Sequence, residues 1–476
     1  MDMTPDAQAL HAAFDRQYRA SREAPAADLA TRRALLDSLH GLLLDGRPAL
    51  AQAISDDFGG RSRSETDILE IVPLITAIRH ARGHLKHWMR DEPRRVDLSL
   101  KPGTAWVRYE PLGVIGVIAP WNYPLFLTLG PALDALAAGN RVLIKPSESS
   151  PAFAALLARL VAERFDADRL TVVTGGVEVA QALSGLPLDH LVFTGSTNVG
   201  RHILRAAAEH LTPVTLELGG KSPAIVAPDY AIERAAGSIA FGRYLNAGQT
   251  CVAPDYALVP AASARRFAEG VLAAAVRRYP SIADNNDYSN VIDARHHRRL
   301  TDAIEEARRC GAEILTHPAP ASTSHRIAPT VVLGAPDDCT LMREEIFGPV
   351  LPVKPYDTLD AALAFVRARP RPLALYCFAD GSATQRAILD GATSGGVTIN
   401  GTLLHVGQHT LPFGGIGPSG MGAYHGRDGF RRFSHARGVH KAGPINMFER
   451  LGPPWGATAR LTMRLLAGLK PIGDGR

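Results

Sequence analysis

Cysteine is scarce in this chain and scattered along it. The four, Cys251, Cys310, Cys339 and Cys377, form no CxxC pair and share no metal-type spacing with histidine. That argues against a disulfide frame and a zinc site, and for free thiols in a reducing compartment. No apolar stretch is long enough to span a bilayer. The opening residues, Met1-Asp2-Met3-Thr4-Pro5-Asp6, are acidic and lack the apolar core of an export signal, so a cytoplasmic location is the expectation. Also missing is any Lys/Arg-rich run of the kind that tracks phosphates. Basic residues are spread out apart from pairs such as Arg94-Arg95, Arg277-Arg278 and Arg431-Arg432, and nucleic acid is not an expected partner. Internal repeats and low-complexity segments are absent.

What remains is an ordinary globular composition, with 46% hydrophobic and 21% charged residues and a modest net charge of +5. The length, 476 residues, is large for one core and predicts two or three domains. The first ninety residues read as helical. Leu29, Leu36, Leu39 and Leu43 follow helical spacing behind Asp28, a candidate N-cap. A second run starts near Ser64, with Leu69, Val72, Ile75 and Ile78 on its apolar face. An exposed strand is predicted at 105–109, ahead of Pro111. Short apolar runs at 114–118, 142–144, 170–173 and 191–193 then alternate with Ala/Leu-rich helices at 153–163 and 179–182. The pattern restarts after Gly220 with a strand at 224–226, a helix at 232–245 and a strand at 256–259. Alternation of this kind predicts an α/β fold with parallel sheets covered on both faces, joined at 217–220.

Several segments carry possible chemistry. Cys251 follows Asn246-Ala247-Gly248-Gln249-Thr250, and Glu217 stands in Leu216-Glu217-Leu218-Gly219-Gly220-Lys221-Ser222-Pro223. A thiol and a carboxylate are candidates for nucleophile and general base. A lone cysteine is nevertheless more often a small buried hydrophobe, and Glu217 reads equally as a structural carboxylate. In Phe193-Thr194-Gly195-Ser196-Thr197-Asn198-Val199-Gly200 a strand turns into a helix predicted at 201–211. Gly195, Ser196 and Gly200 would let backbone N–H groups approach a pyrophosphate there, or would simply serve a tight turn. Lys145-Pro146-Ser147-Glu148 ends a predicted strand, where open α/β sheets bind ligands, and reads equally as a charged loop. Glu148 would repel a 2′-phosphate, which favours NAD over NADP. Asn122, in Pro120-Trp121-Asn122-Tyr123-Pro124, is a candidate oxyanion donor beside the backbone N–H of Cys251. Glu345 and Phe347 lie in Glu344-Glu345-Ile346-Phe347-Gly348-Pro349, and Phe413 heads a glycine-dense loop ending at Gly422.

In this order the segments resemble the aldehyde dehydrogenase superfamily: Pro-Trp-Asn, Lys-Pro-Ser-Glu, Gly-Ser-Thr-x-x-Gly, Glu-Leu-Gly-Gly-Lys-Ser-Pro, Gly-Gln-x-Cys, Glu-Ile-Phe-Gly-Pro and Pro-Phe-Gly-Gly, between about residues 50 and 440. The resemblance implies Cys251 as nucleophile, Glu217 as general base and Asn122 as oxyanion donor. It also implies cofactor contacts at Trp121, Lys145, Glu148, Gly195, Ser196, Gly200, Glu345 and Phe347, and a substrate pocket with Tyr123 and Phe413. The implied architecture is a NAD-binding domain (1–89 and 110–217), a catalytic domain (218–413) and an antiparallel oligomerisation subdomain (90–109 and 414–445), followed by a tail (446–476). The implied reaction is NAD(P)-dependent oxidation of an aldehyde to its acid through a cysteine thioester, with no metal.

The branch narrows further. Ala253-Pro254-Asp255-Tyr256, Arg371-Pro372-Leu373-Ala374-Leu375-Tyr376 and Gly422-Ala423-Tyr424-His425-Gly426 resemble the class 3 group, whose members are usually dimers, and within it the bacterial coniferyl aldehyde dehydrogenases. A homodimer acting on coniferyl aldehyde is therefore the expectation, with medium- or long-chain aliphatic aldehydes as the alternative. A cofactor-free cysteine esterase and a non-catalytic binding protein are readings of another class. The tail departs from the pattern: Leu461, Leu465, Leu466 and Leu469 with Arg460 and Arg464 form a basic amphipathic segment. Packing on a neighbouring subunit is its expected use, and membrane contact the alternative.

Overall fold

The computed structural model describes residues 5–320 and 325–468. Two helices, Pro5–Glu23 and Leu29–Asp57, open the chain. The second starts where the sequence suggests: the Asp28 carboxylate accepts from the Thr31 N–H at 2.8 Å, satisfying a donor the helix end would otherwise orphan. The next cap is displaced. Ser62, not Ser64, caps the short helix Arg63–Thr66 by accepting from the Glu65 N–H at 3.4 Å, and Ser64 lies within the helix. A π turn, Asp67–Ile71, intervenes before the α-helix Val72–Trp88. On a regular α-helix, residues five apart diverge by about 140° around the axis. The wider turn brings Glu65 and Glu70 nearer to one face, and both reach loops of the site described below.

Three sheets follow. The first has six strands in the order Gly420–Met421, Val214–Leu218, His190–Gly195, Val114–Ile118, Arg141–Lys145, Leu170–Val172. All neighbours are parallel except the short edge strand, which puts Gly420 opposite Glu217. The second has seven, in the order Glu313–Thr316, Thr330–Leu333, Val350–Tyr356, Tyr256–Pro260, Pro223–Val226, Ala374–Phe378, Gly396–Ile399, parallel except at the first pair. Strands of both sheets are buried end to end at Val114–Ile118, Arg141–Lys145, Val214–Leu218 and Ala374–Phe378. This is the pattern of parallel strands covered on both faces. The chain crosses from one sheet to the other between Leu218 and Pro223. The third sheet is antiparallel, with Thr104–Pro111 between Glu92–Arg94 and Ser434–Lys441.

Leu36, Leu39, Leu43, Leu74, Ile78 and Leu85 from the first helices join Leu125, Leu129 and Leu133 of the helix Pro124–Ala137 in one core. That core fixes the strand-to-helix turn carrying Trp121 and Asn122. The last helix, Ala457–Ala467, exposes Leu461, Leu465 and Leu466, while Leu469 of the amphipathic pattern lies outside the described residues. Among the described residues no helix is long and apolar enough to cross a membrane.

Candidate active site

The parallel strands of the first sheet end together, and their carboxyl ends face a cleft of about 1050 Å³. It is lined by Trp121, Asn122, Gly195, Ser196, Glu217, Cys251, Glu345 and Phe347, so eight of the thirteen residues singled out in the sequence meet there. Lys145, Glu148, Gly200, Tyr123 and Phe413 do not line it. Lys145 and Glu148 form an ion pair of 2.5 Å just past the strand beside Val114–Ile118. Gly200 has a packing role: a Cβ there would stand 2.8 Å from Leu218 Cδ2. Tyr123 is buried, its hydroxyl 2.6 Å from Thr250 Oγ1, next to Cys251. Phe413 is buried and stacks on His425, with ring centroids 5.3 Å apart at 16°.

Cys251 is delivered by a strained turn. Asn246 and Ala247 adopt φ of 50° and 49°, the left-handed region that side chains rarely occupy. Four hydrogen bonds hold it there. Glu65 accepts from the Asn246 N–H (2.8 Å) and Asn246 Nδ2 donates to the Asn122 carbonyl (2.9 Å). Gln249 Nε2 donates to the Asn290 carbonyl (2.9 Å), and Gln249 Oε1 accepts from the Ile292 N–H (2.9 Å). Gly248 has φ of 75° and approaches Gly348 so closely that a Cβ would sit 2.2 Å from the Gly348 oxygen. Glu70 does the same for the facing loop. It accepts from the N–H groups of Leu125 and Phe126 (2.8 and 3.1 Å) and pairs with Arg61 at 2.7 Å, both side chains fully buried. Asn122 Nδ2 donates to the Gln249 carbonyl at 3.1 Å, which joins the two loops and leaves its second amide hydrogen available.

The electrostatics around the thiol are those of buried, desolvated groups. Burial pushes the Cys251 thiol up to about 12, with Glu345 and then Glu217 adding to it, while the N–H groups of Cys251 and Val252 act the other way. Burial likewise raises the Glu217 carboxyl well above the carboxylate range, only partly offset by Arg432. Both Glu217 oxygens are buried without a hydrogen-bond partner. Glu345 is raised to about 8 by burial and by Asp255, and its Oε1 is also unpartnered. Its other oxygen lies over Gly219, where a Cβ would come within 1.9 Å.

Sequence reasoning missed the groups that frame this cleft. Lys221 pairs with Asp255 at 2.5 Å and donates to the carbonyls of Leu341 and Glu344, and Asp255 also binds Arg243 and the Ile346 N–H (3.1 Å each). One buried carboxylate thus fixes the segment 345–348 against Cys251. His296 and Arg299 enter from the helix Ala294–Arg309, and Asn198 and Arg201 from Thr197–Ala208. Their i, i+3 spacing was the available signal. Among the described residues no cluster of His, Cys, Asp and Glu could hold a metal ion.

A cofactor-sized ligand with anionic and hydroxyl groups suits these walls. The helix Thr197–Ala208, capped by Ser196 (3.4 Å to the Val199 N–H), opens its N-terminus into the cleft beside Arg201, and an anion is favoured there. Glu345 Oε1 is an idle acceptor, and Trp121 and Phe347 stand edge-on with centroids 5.4 Å apart, offering an apolar wall.

Residues 4–439 match the aldehyde dehydrogenase family. The chain belongs to that family. It is 49% identical over 447 residues, 94% of each chain, to a probable coniferyl aldehyde dehydrogenase of Pseudomonas aeruginosa. It is 43% identical over 448 residues, 92% of each chain, to a coniferyl aldehyde dehydrogenase of Pseudomonas sp.. The substrate-bound Staphylococcus aureus AldH superimposes with a TM-score of 0.91 at 34% identity, covering 98% of this chain and all of that one. As an aldehyde dehydrogenase, the protein is an oxidoreductase acting on aldehydes.

Proposed function

We propose that this protein oxidises coniferyl aldehyde to ferulate with NAD, through a thioester on Cys251 that water releases. The observation that carries the hydrolytic reading is Glu217: a buried carboxyl with two unpartnered oxygens, lining the same cleft as the thiol. Once ionised, such a group is a stronger base than an ordinary carboxylate, because burial has raised its affinity for a proton. Cys251 attacks the aldehyde carbon, forming a C–S bond. The developing oxyanion accepts from Asn122 Nδ2 and the Cys251 N–H, which cost no reorganisation because Gln249 already orients the amide. NAD would supply the hydride acceptor when bound. Ser196 and the following helix turn would hold its pyrophosphate, Glu345 a ribose, Lys145 and Glu148 the second ribose, and Trp121 with Phe347 the ring. Glu148 disfavours a 2′-phosphate in that place.

The identities of 49% and 43% to relatives named for coniferyl aldehyde support that substrate. Exposed Leu98, Ile445 and Phe448 around the antiparallel sheet support a homodimer. Purified protein assayed with coniferyl aldehyde, benzaldehyde and hexanal, each with NAD and NADP, tests the assignment. Coniferyl aldehyde with NAD should give the highest kcat/KM. A flat or hexanal-favouring profile removes the coniferyl assignment, and ester hydrolysis without any aldehyde-linked NADH removes the dehydrogenase reading.

A further inference from the structure

Three tyrosines stand near Cys251, and two have their hydroxyls engaged. Tyr123 meets Thr250 Oγ1, and Tyr376 donates to the Val252 carbonyl, so both anchor the segment that carries the thiol. Tyr424 is different. It is buried, and among the described residues it is the one tyrosine whose buried hydroxyl has no partner. Buried phenols ordinarily find one, since an unmade hydrogen bond is costly. Its placement is fixed. Two backbone hydrogen bonds of 2.9 Å pair it with Phe413, and its ring stands edge-on to Phe413 (6.0 Å, 86°) and His425 (4.9 Å, 88°). The chain arrives there from the edge strand that sets Gly420 opposite Glu217, and the hydroxyl lies within electrostatic reach of Glu217 and Cys251.

Tyr424 Oη and both Glu217 oxygens are thus buried and idle, on segments that the pairing of Gly420 with Glu217 brings side by side. A water needs two or more polar partners in such a place. We propose that Tyr424, with Glu217, holds the water that attacks the acyl–Cys251 carbonyl. This rests on the hydrolytic reading above. One water proton goes to the Glu217 carboxylate as the new C–O bond forms. The other stays hydrogen-bonded to Tyr424 Oη, which leaves an oxygen lone pair for the carbonyl carbon. Collapse of the tetrahedral intermediate breaks the C–S bond, Cys251 leaves as thiolate, and the acid departs. Tyr424 remains protonated throughout and is a positioning residue.

Tyr424→Phe removes only the hydroxyl. Wild type and variant are mixed with NAD and coniferyl aldehyde, with hexanal in parallel. First-turnover NADH is followed by stopped flow, and decay of the Cys251 thioester by mass spectrometry of quenched protein. Both rates are first order, so a partly folded sample reports them faithfully. The expected result is a first turnover within about twofold of wild type and thioester decay slower by about tenfold, the effect of one lost hydrogen bond of ordinary strength. Hydroxylamine, which needs no held water, should discharge both proteins equally. Thioester decay at the wild-type rate overturns the proposal, as does a first turnover that falls as far as the decay. A wild type that makes no NADH from either aldehyde overturns instead the function on which it rests.

Discussion

Replacing Glu217 with glutamine separates the two halves of the reaction. Glutamine is nearly isosteric, and neither Glu217 oxygen has a hydrogen bond to lose. Arg432 is not orphaned either, since it donates to Thr215 Oγ1 and the Val214 carbonyl at 2.9 Å each. Folding should be unaffected, so the loss is chemical. Removal of a positioned general base costs about 100- to 10,000-fold in the step it serves. At about 1.4 kcal/mol per decade that is roughly 3–5 kcal/mol of barrier. The first half should not suffer. After burial and Glu345, the Glu217 charge is a cause of the raised thiol, and its removal eases ionisation of Cys251. Stopped-flow NADH formation should therefore show one rapid turnover per site, then a steady state at least 100-fold below wild type. A steady state within threefold of wild type would falsify the general-base role. An equal loss in both phases would place Glu217 in acylation or cofactor binding instead.

Three further outcomes follow from the geometry. Thioester hydrolysis requires the ionised Glu217. Because burial raises that carboxyl in the folded protein, hydrolysis should be lost as pH falls through a value well above 4.5; a pH profile of thioester decay checks this, and the limb should vanish in Glu217→Gln. Asn122→Ala should slow the first turnover about 100- to 1000-fold, read by stopped flow, with little change in hydroxylamine discharge of preformed thioester. Glu70→Ala leaves Arg61 buried without its carboxylate and uncaps the helix after Tyr123. It should destabilise by about 3–5 kcal/mol in urea unfolding, and unchanged stability would count against the buried pair as the clamp of that loop.

Local signals carried much of the fold. Apolar runs bounded by Gly and Pro marked the buried strands at 114–118, 142–144 and 224–226, and Asp28 marked a helix start, because strand burial and capping depend on a few neighbouring residues. The same locality explains the displaced cap at Ser62 and the unforeseen π turn. Those depend on Glu65 and Glu70 reaching Asn246, Leu125 and Phe126 across the chain.

By itself the sequence determined the chemistry available, a thiol in Gly-Gln-x-Cys, a carboxylate in Glu-Leu-Gly-Gly-Lys and an amide in Pro-Trp-Asn, because motif identity resides in residue type and spacing. Only the tertiary structure decided what those groups can do. Burial sets the proton affinities of Cys251, Glu217 and Glu345, and close approach puts Glu345 over Gly219. Strand register sets Gly420 opposite Glu217, so that Tyr424, remote in sequence, is buried on the neighbouring segment with its hydroxyl unspent. Desolvation and register are sums over residues far apart in the chain, and no local window contains them.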